Sequence, residues 1–245
     1  MSSPASSLLP VLSQLADDVG QMDFQPPVHT TYNSLAYAWA PFERYVRLYA
    51  RESCQVLMVG MNPGPWGMAQ TGIPFGEISF VRDWMGVEGS VSKPPVEHPK
   101  RPVQGFACER SEVSGSRLWG WARDRFETAD RFFDHFFVHN FCPLVFMEES
   151  GRNRTPDKLK AFERKELFPL CEAALRHVVE VLEPRWVVGV GKFAETRAKS
   201  ALKGLEVEVG RVLHPSPASP KANRGWAGFF EEDLASLGVD WQRFS

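Results

Sequence analysis

The chain has 245 residues, 43% of them hydrophobic and 24% charged, with a formal net charge of −2. That length and balance suit one globular domain, exclude a generally basic nucleic-acid coat protein, and oblige any polyanionic partner to meet a local patch. No run of about 18 apolar residues occurs, so no membrane span is expected. The opening "MSSPASSLLPVLSQLADDVG" lacks a basic stretch before its apolar residues and carries Asp17 and Asp18 after them. It reads as an ordinary N-terminal helix, not as a secretory signal.

Helical spacing of apolar residues covers Leu8–Val19 and returns from Leu35 to Tyr49 around Pro41. "QVLMVG" (55–60) is a short apolar run of the kind buried on both faces of a parallel sheet. The glycine- and proline-rich "MNPGPWGMAQTGIPFG" (61–76) follows, then a short helix in "SFVRDWMGV" (79–87). Residues 88–112, with "KPPVEHPKRP", form a long loop whose length alone points to function. A helix is expected in "SGSRLWGWARDRF" (114–126), capped by Ser114 or Ser116.

"FFVHNFCPL" (136–144) is a second strand, and a Thr155 cap with Pro156 in the first turn opens one or two amphipathic helices running to Pro184. "RWVVGVG" (185–191) is a third strand, and Gly204 stops the helix begun at Lys192. Residues 206–217 contain a fourth strand, and 223–238 a closing amphipathic helix. Strands alternating with helices predict a mostly parallel sheet covered on both faces.

In such sheets ligands bind beyond the carboxyl ends of the strands. The residues standing there are Asn62 after the first strand, Asn140 closing the second, Lys192 and Phe193 after the third, and His214 after the fourth. Taken singly, Asn62 reads equally as a turn former before proline and Asn140 as a turn cap. His214 alone reads as a satisfied histidine, and Phe75 as core. A shared rim with glycines for close backbone access makes them a site.

No GxxxxGK[ST], GxSxG or HExxH motif occurs, which argues against triphosphate, acyl-hydrolase and zinc chemistry. "GVGKFA" (189–194) is a non-specific dinucleotide-like string in the wrong strand–helix unit. Cys54, Cys108, Cys142 and Cys171 are scattered without a CxxC pair and are expected as buried thiols. No cofactor and no metal are expected. The strand ends carry no carboxylate, so the chemistry is expected to run without a strong general base.

"GMNPGPWGMAQTGIPFGE", "VHNFCPL" and "HPSPASPKANRGW" resemble the motifs of the single-strand-selective monofunctional uracil-DNA glycosylases of the uracil-DNA glycosylase superfamily. "SFVRDWMG", "EHPKRPVQGFACERSEVSGSRLWGW" and "VVGVGKFAETRAKSAL" extend the likeness from about Leu35 to Trp226. The resemblance implies a three-layer α/β/α sandwich over residues 1–245 as one domain, with 1–34 as a peripheral N-terminal helical segment. It also implies a monofunctional hydrolase that removes uracil, and 5-hydroxymethyluracil or related oxidised uracils, from single- and double-stranded DNA inside the cell, in nucleoid or nucleus. A monomer is expected.

Carried over residue by residue, the resemblance gives Asn62 the attacking water, His214 the departing base, Asn140 the pairing edge and Phe75 the stack, with backbone contacts from Met61 and Gly64. Pro217, Ala218, Ser219 and Pro220 would wedge into the duplex while Lys221 and Arg224 meet phosphates; on residue type alone the segment is a stiff connector. Ala218 and Trp66 depart from the vertebrate pattern, which has arginine and phenylalanine there. Lys93, His98, Lys100 and Arg101 are a second candidate phosphate patch, or a solvated charge run. A catalytically silent nucleic-acid or nucleobase-binding module of the same fold is the alternative.

Overall fold

A computed structural model describes residues 3–244. The N-terminal helix α1 spans Pro4–Gly20, starting on a proline whose missing N–H costs nothing in the first turn. Its stripe of Leu8, Leu12, Leu15 and Val19 is buried in the main core. Two features depart from the expectation of a helical segment over residues 1–34. The helix ends at Gly20, and Thr30–Asn33 forms a strand, β1. The expected helix around Pro41 divides into α2 (Ser34–Tyr37) and α3 (Trp39–Tyr49), with Pro41 near the start of α3, where the ring is tolerated.

The apolar runs form the sheet. β2 (Val56–Gly60), β3 (Phe136–Asn140) and β6 (Trp186–Val190) are buried at every residue, as strands covered on both faces must be. With β7 (Glu208–Val212) they make a four-stranded parallel sheet in the order β3-β2-β6-β7. The connections β2→β3 and β6→β7 leave in opposite directions. Right-handed crossovers therefore put their helices on opposite faces. One layer contains α5 (Val113–Phe126) and α6 (Ala129–Phe133), joined by α9 (Trp226–Ser236); the other contains α7 (Ala161–Leu182) and α8 (Lys192–Ala201), with α1 packed on α7. Tyr45 of α3 serves the open side of edge strand β3, its hydroxyl donating to Val138 O and accepting from Val138 N–H.

Two segments differ from the sequence expectation. The second strand stops at Asn140, and Leu144–Met147 beyond Pro143 is a separate strand, β4, in an antiparallel sheet of order β1-β4-β5 with β5 at Asn153–Arg154. Pro156 occupies its own short 3₁₀ turn, and α7 starts later, at Ala161. The buried Glu163 carboxylate caps that start by accepting from Lys160 N–H and, across the chain, from Gln25 N–H. The loop at 88–112 is irregular apart from a 3₁₀ turn at Gly105–Ala107, and Met68–Thr71 forms a single turn, α4, inside the glycine-rich stretch. Among the described residues no helix is long and apolar enough to cross a membrane. All four cysteines are buried thiols.

Candidate active site

The carboxyl ends of β2 and β3 and the segment after β7 border one cleft of about 260 Å³. Met61, Asn62, Gly64, Phe75, Asn140 and His214 all line it. The expected rim is therefore brought together, apart from Lys192 and Phe193. Lys192 lies in an adjoining open groove beside β7 that shares His214 with the cleft, and the Phe193 ring packs on Phe141 and Phe168.

Each polar side chain is held in one orientation by the chain itself. Asn62 Nδ2 donates to Leu144 O at 3.0 Å, so its Oδ1 is left to accept from a group in the cleft. Asn140 Nδ2 lies 3.1 Å from Met68 Sδ, and a thioether can only accept, which sets the amide. The Asn140 Oδ1 rests where a side chain on Gly60 would be, 2.1 Å from that Cβ position, with the Phe75 ring 2.8 Å away. His214 Nδ1 accepts from Ser216 N–H at 3.0 Å, which places the proton of the neutral ring on Nε2. Burial lowers the His214 pKa to about 4, so the imidazole is neutral at physiological pH.

Phe75 adopts φ = 54°, a left-handed conformation that costs a phenylalanine about 1–2 kcal/mol. Its carbonyl accepts from Trp119 Nε1 at 2.9 Å, and Gly115 leaves room for that carbonyl, which would lie 2.1 Å from an added Cβ. The ring stands 6.0 Å, centroid to centroid, from the His214 imidazole. An aromatic face is thus fixed at the wall of the cleft.

The expectation of a site without a carboxylate needs correction. None stands at the strand ends, but Glu112, at the start of α5, also lines the cleft. Its Oε2 lies 2.4 Å from where a Gly64 Cβ would be, and its Cγ 2.9 Å from the same position at Gly67. Burial raises the carboxyl pKa, and the Ser114 N–H partly offsets that. The sequence signal was the length of the 88–112 loop, which did not say which of its residues turns inward.

Of the expected wedge, Pro217 lines the cleft mouth and is exposed, as are Ala218 and Pro220. Ser219 folds back, its Oγ accepting from Ala222 N–H. Arg117, which sequence reading passed over, reaches from α5 to Pro215 O at 3.0 Å and Asn223 Oδ1 at 2.8 Å and so pins the segment. Lys221 Nζ sits 4.4 Å over the Phe229 ring, and Arg224 is exposed in a 3₁₀ turn. The second patch is smaller than expected. Lys93 is tied to Glu97 and to Val103 O, and His98 is buried with its ring against Glu149 O. Lys100 is exposed and Arg101 lies against Trp66.

Fold and rim together define an α/β domain with a cleft lined by two amides, an imidazole, a carboxylate and an aromatic face at the sheet's carboxyl edge. The profile of the uracil DNA glycosylase superfamily matches residues 47–237. The chain is 50% identical over 250 residues to the "single-strand selective monofunctional uracil-DNA glycosylase" of Rattus norvegicus, covering 96% of this chain and 90% of the rat protein. It is 52% identical over 228 residues to the Bos taurus protein of that description, covering 92% and 84% of the two chains. The crystal structure of wild-type Pedobacter heparinus SMUG2 superposes with a TM-score of 0.68 at 17% identity over 98% of each chain, a likeness of fold. The chain belongs to the uracil DNA glycosylase superfamily and, within it, to the single-strand selective monofunctional family.

Proposed function

We propose that the cleft takes a uracil nucleotide flipped out of DNA and hydrolyses its N-glycosidic bond, leaving an abasic site in an uncut strand. The observation that carries this reading is that Asn62 and His214 line one cleft with their polar atoms already oriented, the amide by Leu144 O and the imidazole by Ser216 N–H. A module that only bound nucleobases would have no use for the acceptor that Asn62 presents.

The chemistry follows from those orientations. Flipping a base out of a duplex costs a few kcal/mol, and stacking on Phe75 offsets about 1–3 kcal/mol of that. Asn140 donates to uracil O4 and accepts from N3–H. Cytosine offers an amino donor and a bare N3 at those points, so an amide held by Met68 mismatches it twice.

In the reaction the C1′–N1 bond breaks and its electron pair leaves with uracil as an anion. The His214 Nε2–H donates to O2 as that charge develops, an interaction stronger in the transition state than in the ground state. Asn62 Oδ1 holds a water against the cation-like C1′. The water oxygen forms the new bond to C1′, and its proton passes to solvent, which balances the uracil anion that departs. An amide cannot remove a proton, but a cation-like sugar needs only a positioned nucleophile. We extend the reading to 5-hydroxymethyluracil and related oxidised uracils on the family likeness; the space beside Gly64 is taken by the Glu112 carboxylate. The base is excised from single- or double-stranded DNA, the enzyme acts as a monomer, and its substrate makes it intracellular.

The test is incubation with uracil-containing oligonucleotide, and separately with free deoxyuridine, followed by alkali. Released uracil with strand breaks that require alkali is the expected result. Binding without release would make the chain a silent binding module. Release from the free nucleoside alone would make it a nucleosidase.

A further inference from the structure

Outside the base cleft, one cluster of charge has no use in the reaction described above. Trp66 stands two residues beyond Gly64 of the cleft wall, a span of at most about 7 Å. Two guanidinium groups lie on its indole, Arg101 with Cζ 5.2 Å and Arg110 with Cζ 4.8 Å from the ring centroid. Among the described residues neither arginine pairs with a carboxylate, whereas most other arginines do. Arg101 Nε is buried without a hydrogen-bond partner, although Nη1 of the same group donates to Lys100 O at 3.0 Å. Arg110 is exposed and, among the described residues, rests on the ring alone.

Two like charges gathered on one ring repel each other, and the ring's attraction is worth only about 0.5–1 kcal/mol at an exposed site. An anion set between the two guanidinium groups would offset that repulsion. A planar guanidinium with unused N–H groups is suited to phosphate. The indole removes much of the rotamer freedom that two long side chains would otherwise lose on binding. The 216–220 segment at the cleft mouth carries no cation, and the cations beyond it, Lys192 and Lys221, line the neighbouring groove, with Lys221 already seated over the Phe229 ring.

We propose that Trp66, Arg101 and Arg110 form a grip for the phosphodiester of the DNA strand next to the flipped nucleotide, with the indole as a post that aims both arginines. The grip rests on the glycosylase reading for its partner, and it adds the place where the substrate strand is held. It acts on the strand that carries the target base, so it serves single-stranded DNA without help from a complement.

The experiment measures binding of a uracil-free single-stranded oligonucleotide as a function of salt, alongside uracil release from a uracil-containing one. Variants are Arg110→Ala, Trp66→Leu and, as a control at the far end of α8 from the rim, Lys203→Ala. Arg110 and Lys203 are exposed, so both variants keep the fold.

Loss of one phosphate contact on a single strand lowers the slope of log affinity against log salt by about 0.7, which is about fivefold in affinity at 0.1 M salt. Arg110→Ala is expected to show both, with KM rising about fivefold and kcat unchanged. Trp66→Leu is expected to weaken binding although no charge is removed, and Lys203→Ala to change nothing. An Arg110→Ala protein with the slope and affinity of the parent would overturn the grip. If the parent protein released no uracil, the glycosylase reading would fall, while the salt slopes would still decide the grip.

Discussion

In the proposed mechanism Asn140 distinguishes uracil from cytosine only while its amide keeps one orientation, and among the described residues the Met68 thioether at 3.1 Å sets it. Met68→Leu conserves volume and removes the acceptor. One hydrogen bond is worth about 1 kcal/mol net, or about a fivefold rate effect. The expected outcome is a kcat/KM for uracil about fivefold lower with an unchanged melting temperature, read from steady-state kinetics and a thermal melt. An unaltered kcat/KM would mean that something other than Met68 holds the amide. At this scale the sequence was informative in an uneven way. Asn62, Phe75, Asn140 and His214 could be named because strand ends and motifs point to them. Their orienting partners, Leu144 O, Met68 Sδ and Ser216 N–H, could not, because each is a backbone or thioether atom with no compositional mark.

The strands β2 and β3 place the cleft, and Gly60 at the end of β2 is where packing and recognition meet. A methyl group there would lie 2.1 Å from Asn140 Oδ1 and 2.8 Å from the Phe75 ring, so Gly60→Ala must displace both. Misplacement of a reacting group by about 1 Å costs on the order of 10²-fold. Gly60→Ala is expected to lose at least about that factor in single-turnover excision while its circular dichroism remains that of the parent. Excision within a fewfold of the parent would show that neither contact matters. The parallel strands and most helices were legible from apolar runs and spacing. The β1-β4-β5 sheet was not, because its members are short and two of them sit beside prolines or asparagines that read as loop. Glu112 was hidden for a related reason: a long loop says that something is built, but its inward residues depend on the tertiary path.

Across the whole molecule, burial of neutral histidines ties stability to pH. His139 on β3 and His214 are both held to a pKa of about 4 by desolvation, against an ordinary value near 6.5. The folded protein therefore keeps them neutral while the unfolded chain takes up protons below about pH 6.5. The unfolded state binds more protons in that window, so stability is full above it and falls as pH drops from about 6.5 towards 4. Between about pH 6.5 and 5 the loss is on the order of 2 kcal/mol per histidine, before most carboxylates begin to titrate. Urea unfolding across this range should show that slope, and His139→Leu should remove about half of it. A stability independent of pH down to 5 would place both histidines in contact with water.

The account as a whole depends on Asn62 holding water for a bond that His214 helps to break. The most direct measurement is single-turnover uracil release by Asn62→Ala, paired with the affinity of the same variant for free uracil. A rate lower by about 10²-fold or more with unchanged uracil affinity is the predicted result. Release at the parent rate would contradict the mechanism, however well the cleft fits the base.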